Sequence, residues 1–177
     1  MADTSALGAG ASNGVEVRLL SSANKQRIME KTIKLQKPML NDEGFLVYRL
    51  NDSDCRTLIT LGDTALNYTY PIPNKGFAVA LLTDSGNTYT GASYVSDTHN
   101  TTMHSEAVAL AMAAQHGEVR IVAITGPNCH NCKQLIWESS IRSKIDTLII
   151  FEEEGSVMQI PISQMMPYPW PNKNGEK

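Results

Sequence analysis

Residues 103–117 read MHSEAVALAMAAQHG. Ala107, Val108, Leu110, Ala111 and Ala114 recur at helical spacing, and Gly117 is placed to cap the helix C-terminus. At the mouth of that helix stand His104 and Glu106, two residues apart. A second constellation follows downstream, Cys129-His130-Asn131-Cys132, at the start of another helical pattern that runs from about Asn131 to Arg142.

Around these two helices the chain alternates. GFAVALLTDSGNTYTGASYV (76–95) reads as a hairpin, with Phe77 to Leu82 apolar and Asp84-Ser85-Gly86-Asn87 as turn chemistry. VRIVAIT (119–125) is a buried strand, DTLIIF (146–151) another, EEEGS (152–156) a turn, and VMQIPI (157–162) closes the sheet. Upstream, NDSDCRTLITLGDTALNY (51–68) offers Asp52 or Ser53 as cap and places Leu58, Leu61, Ala65 and Leu66 on one helical face. GFLVYRL (44–50) is a short strand, and SSANKQRIMEKTIKLQK (21–37) a helix that Pro38 stops. Strands alternating with helices give an α/β layered sandwich. The expected division is a disordered segment 1–14, an extension 15–50 of helix plus strand, a catalytic domain 51–170 and a tail 171–177.

With 177 residues, 42% of them hydrophobic, the chain builds one sizeable core. It has no apolar run of 18 residues and no secretory pattern at its start, so the expectation is a cytoplasmic protein without a membrane span. A net charge of −3 and a pI near 5.8 lack the basic surplus that a phosphate backbone calls for, which makes nucleic acid an unfavoured partner. Three cysteines, Cys55, Cys129 and Cys132, cannot form an even disulfide framework. Cys55 is read as a small core residue, and the Glu152-Glu153-Glu154 run as a solvated turn.

A Cys-x-x-Cys pair by itself fits a redox centre or half of a structural zinc site. Joined to His104, it becomes three zinc-type ligands at two helix N-termini, where unpaired N–H groups and the helix dipole favour thiolates. Three protein ligands leave a fourth tetrahedral position for water, the mark of a catalytic zinc site. Glu106 lies close enough to that position to carry protons without ligating.

His104-Ser105-Glu106 followed by Gly126-Pro127-Asn128-Cys129-His130-Asn131-Cys132-Lys133-Gln134 resembles the zinc-dependent cytidine deaminase superfamily, with its H-x-E and P-C-x-x-C signature. GFAVALLTDSGNTYTG resembles its first hairpin, and ISQMMPYPW (162–170) its C-terminal segment. The resemblance implies a three-layer α-β-α sandwich around a mixed five-stranded sheet, with Zn2+ on His104, Cys129 and Cys132 and Glu106 as the catalytic proton carrier. It further implies hydrolytic deamination of a cytosine-type ring in a small molecule by a homo-oligomer, dimer or tetramer. Phe77 would stack on the base, and Trp170 would serve a neighbouring subunit's site.

The chain departs from the pattern twice. Where relatives acting on free nucleosides carry an Asn and a Glu for the ribose hydroxyls, it has Ser93 and Val95 on either side of Tyr94. Ser93 and Tyr94 are the substrate-facing candidates there, and Val95 cannot accept a hydrogen bond, which opens the choice to a modified nucleoside, a free base or a different sugar. The second departure is Asn128, which separates Pro127 from Cys129. The alternatives to the small-molecule enzyme are a polynucleotide deaminase and a zinc-stabilised scaffold without turnover.

Overall fold

The computed structural model describes residues 32–172, apart from Pro127, Tyr168 and the side chain of His99. The segment 1–14 and residues 21–31 of the expected first helix lie outside the described residues. The rest of that helix is corrected. Residues 33–38 carry no helix. The Ile33 N–H donates to Gly86 O at 2.7 Å and Thr32 bridges Asn87, so this backbone lies against the hairpin turn while the Ile33 side chain enters the core.

In chain order the elements are β1 (Met39–Leu40), β2 (Leu46–Val47), α1 (Asp52–Ala65), β3 (Ala78–Thr83), β4 (Thr88–Ala92), α2 (Ser105–Gln115), β5 (Ile121–Thr125), α3 (His130–Ser143), β6 (Leu148–Glu153), β7 (Ser156–Pro161) and α4 (Ile162–Met165). Strands β1 and β2 make a separate antiparallel ribbon. The main sheet has five strands in the order β4-β3-β5-β6-β7, antiparallel except for the parallel pair β5 and β6. The cap of α1 differs from expectation. It is Asn51, whose side-chain oxygen accepts the Asp54 N–H at 2.8 Å, which leaves Asp52 and Asp54 in the first turn, where the helix dipole favours acids.

Why the sheet sits between two helical layers follows from its alternation. Val79 and Leu81 of β3 pack with Ala109, Ala113, Ile136 and Trp137 of α2 and α3. Ala80 and Leu82, one residue out of phase, pack with Cys55 and Leu58 of α1. Both faces are therefore apolar and both are covered, the three-layer arrangement expected. Cys55 is fully buried, as read from the sequence.

Glu118, in the connection from α2 to β5, staples that connection to the hairpin. It accepts from the Thr83 hydroxyl, the Ser85 hydroxyl at 2.5 Å, the Asn87 amide at 2.6 Å and the Tyr89 hydroxyl. Burial works against its charge, yet these donors together outweigh burial and hold the carboxyl below its ordinary range. A carboxylate whose folded pKa is depressed stabilises the fold above its unfolded pKa, and this stabilisation disappears as pH falls through the folded value. Glu118→Gln is expected to cost about 2 kcal/mol in urea unfolding at pH 7, because one amide oxygen cannot satisfy four donors. The difference from the unsubstituted protein should shrink in acid.

Candidate active site

Two helix mouths meet at one end of the sheet. His104 is the N-cap of α2, in extended backbone (φ −72°, ψ 145°), and Cys129 is the N-cap of α3 (φ −68°, ψ 167°); neither side chain caps its own helix. Both are thereby free to point at each other. Nδ1 of His104 lies 3.5 Å from Sγ of Cys129 and 3.4 Å from Sγ of Cys132, and all three donor atoms fall within 4.8 Å of one another. A tetrahedron with metal–nitrogen bonds of about 2.0 Å and metal–sulfur bonds of about 2.3 Å has an N···S edge of about 3.5 Å. The donor set and its spacing thus fit zinc. His130 and His116 are exposed and stand outside this group.

The expectation that helix ends lower thiol pKa values is reversed at Cys132. Burial pushes this thiol well above its ordinary range, and the Glu106 carboxylate and Cys129 beside it add to the effect. Cys132 is only 3% exposed and stands beside that carboxylate. A divalent cation among the donors supplies the charge that favours the thiolate.

Glu106 sits in the first turn of α2, 7% exposed. Its Oε2 accepts from the Ser105 hydroxyl at 3.0 Å and its Oε1 from the Asn128 amide at 3.0 Å. The same amide nitrogen donates to Thr125 O at 3.1 Å, which identifies it as nitrogen, since an oxygen there would face two acceptors. Asn128 is 6% exposed and its Oδ1 is buried without a partner, a condition that costs about 1–3 kcal/mol. The sequence marked Asn128 only as an insertion. Its grip on a residue 22 positions away is a tertiary fact.

His104, Glu106 and Cys129 line a cavity of about 610 Å³, together with Phe77, Ser93 and Val95. Phe77, just ahead of β3, is 77% exposed on this wall and so is not core. Ser93 is buried; its Oγ accepts the Phe77 N–H at 3.0 Å, fixing the backbone that carries that ring. Tyr94 and Trp170 do not line the cavity. Tyr94 instead stacks on Tyr70, ring centroids 4.6 Å apart, and the backbone oxygen of Trp170 accepts from Gln134 of α3.

Several solved structures share the fold. A cytidine deaminase from Burkholderia pseudomallei aligns over 65% of this chain and 98% of its own, with 19% identity and a TM-score of 0.56. The cytidine deaminase from Mycobacterium tuberculosis aligns over 67% and 98%, with 21% identity and a TM-score of 0.55. That from Mycobacterium leprae aligns over 67% and 99%, with 19% identity and a TM-score of 0.54. At these identities the likeness is one of fold. No curated protein matches the chain. The family model for the cytidine and deoxycytidylate deaminase zinc-binding region matches residues 53–146, a span that holds both helix mouths and every donor of the His/Cys/Cys group. With that match the ion is Zn2+, and the chain belongs to the cytidine and deoxycytidylate deaminase zinc-binding family.

Proposed function

We propose that this protein is a zinc-dependent aminohydrolase that deaminates a cytosine-type ring in a small molecule. One observation carries the reading: a buried carboxylate, Glu106, lines the same cavity as two members of a three-donor metal group without belonging to that group. Structural zinc sites are closed by four protein ligands and have no use for a proton carrier.

In this reading His104, Cys129 and Cys132 hold the zinc. When bound, the ion supplies Lewis acidity that lets water act as a nucleophile near neutral pH. Glu106 does the proton work. It takes a proton from the water whose oxygen adds to the amine-bearing ring carbon, and gives that proton to the adjacent ring nitrogen. It then moves the hydroxyl proton to the amine, the carbon–nitrogen bond breaks, and ammonia leaves behind a ring carbonyl. Phe77 offers its face to the heterocycle, a geometry aromatic rings favour, and Ser93 and Val95 line the wall that the rest of the substrate meets. Tyr94, stacked on Tyr70 outside the cavity, carries no substrate contact in this reading. Trp170, outside its own chain's cavity, belongs to the part of the proposal in which a homo-oligomer shares its sites.

Residues 51–170 form the catalytic domain in this proposal. Among the described residues no helix is long and apolar enough to cross a membrane. None of the three cysteines is in a disulfide, which suits a reducing, cytoplasmic setting.

The test is direct. Purified protein is expected to carry about one zinc per chain, and to release ammonia from at least one of cytosine, cytidine, deoxycytidine, their phosphates or ring-modified analogues. Bound zinc with no ammonia from any of these would sink the reading and favour a scaffold. Turnover confined to single-stranded nucleic acid would replace the small molecule with a polynucleotide.

A further inference from the structure

We infer that Asn128 is a positioning residue for Glu106, and that the residue set between Pro127 and Cys129 supplies the donor that holds the proton carrier in place. The kinetic part of this inference rests on the function proposed above; the contact itself does not.

Glu106 lies in the first turn of α2 and Asn128 immediately precedes Cys129, the N-cap of α3, so their bond ties together the two helix mouths that carry the metal donors. Both hydrogens of the Asn128 amide are committed, one to Glu106 Oε1 at 3.0 Å and one to Thr125 O at 3.1 Å. With Ser105 on Oε2, each carboxylate oxygen is held from a different side. A carboxylate that must receive and return protons at fixed atoms benefits from such restraint, because small misplacements at a reacting centre are costly.

The other end of the same side chain points to the same conclusion. Asn128 Oδ1 is buried and unpaired, pressed against Gly126, where an added Cβ would come within 2.9 Å of it. A residue chosen for the fold alone would not leave an acceptor stranded there. Its nitrogen end, spent on Glu106 and on the strand end at Thr125, is what the position provides.

The experiment uses the full zinc-loaded chain with Asn128→Ala and Asn128→Asp, each alone and combined with Glu106→Gln. Asn128→Asp keeps the size of the side chain and replaces the donor with an acceptor. It is expected to lower kcat roughly 10- to 100-fold, with KM within about threefold and zinc content unchanged. In the Glu106→Gln background the same change should leave the residual rate within about twofold, because a residue that acts through Glu106 has nothing left to position. Should Asn128→Ala fail to fold, Asn128→Asp carries the test. Separately, urea midpoints of zinc-loaded Asn128→Ala, Glu106→Ala and their double variant should be non-additive, because each of these single changes removes the Asn128–Glu106 bond. Additive midpoints, an unchanged kcat, an equal loss without Glu106, or loss of zinc in step with activity would each overturn the inference. If no cytosine compound is turned over, the proposed function fails while the unfolding cycle still reports on the contact.

Discussion

Replacing Glu106 by glutamine is expected to lower kcat roughly 10²- to 10⁴-fold, the range that a positioned proton carrier contributes, while zinc stays bound and the fold is kept. The substitution is nearly isosteric. The new amide oxygen still accepts from Asn128, and the new NH2 can donate to the Ser105 hydroxyl, so both contacts of the native carboxylate have a counterpart. Lost is the capacity to take up and return a proton. His104, Cys129 and Cys132 are untouched, so metal content separates loss of proton transfer from loss of the site. The check combines steady-state ammonia release with zinc analysis and a urea melt. A rate within threefold of the unsubstituted protein, with zinc bound, would remove Glu106 from the mechanism.

Glu106 also illustrates what could be read from the chain and what could not. His-x-Glu and Cys-x-x-Cys are legible because metal ligation demands particular residue types at fixed local spacings. The strand IVAIT is legible because a strand covered on both faces is apolar throughout, and all five of its residues are buried. The partner of Glu106 is not legible, since Asn128 reaches it only after a helix and a strand have folded between them. The same holds for Ile33, whose local pattern fits a helix but whose N–H is spent on Gly86, 53 positions away in the chain. Cys132 shows a third kind of limit: its place at a helix mouth was read correctly, but its protonation is governed by depth and by a carboxylate from another helix. Substrate-wall residues divide in the same way. Phe77 and Ser93 flank the paired ends of β3 and β4 and line the cavity, whereas Tyr94, next to Ser93, finds Tyr70 instead.

Gly91→Ala is expected to cost the fold about 3 kcal/mol or more and to take the active site with it. Helix α2 lies so close on β4 that a Cβ at position 91 would stand 2.1 Å from the Ser105 carbonyl oxygen and 2.5 Å from the Ala109 nitrogen. Both are backbone atoms, so no side-chain rotation relieves the clash; the helix itself must lift. Its buried face is made of small residues, Ala109 and Ala113, for the same reason, which is why SEAVALAMAAQ packs tightly without a bulky apolar stripe. Lifting the helix moves the segment that carries His104 and Glu106 away from Cys129 and Cys132, which belong to a different helix and do not follow. Trimming the neighbour in a Gly91→Ala, Ala109→Gly double variant is expected not to rescue, because the closest contacts are to main chain. Gly117→Ala provides the contrast: φ is +79° there but nothing lies within 4 Å, so only the left-handed backbone is strained, at about 1–2 kcal/mol. Urea unfolding of the three variants, paired with zinc content, separates these cases. A Gly91→Ala protein with native stability and full zinc would mean that α2 does not rest on β4 as described.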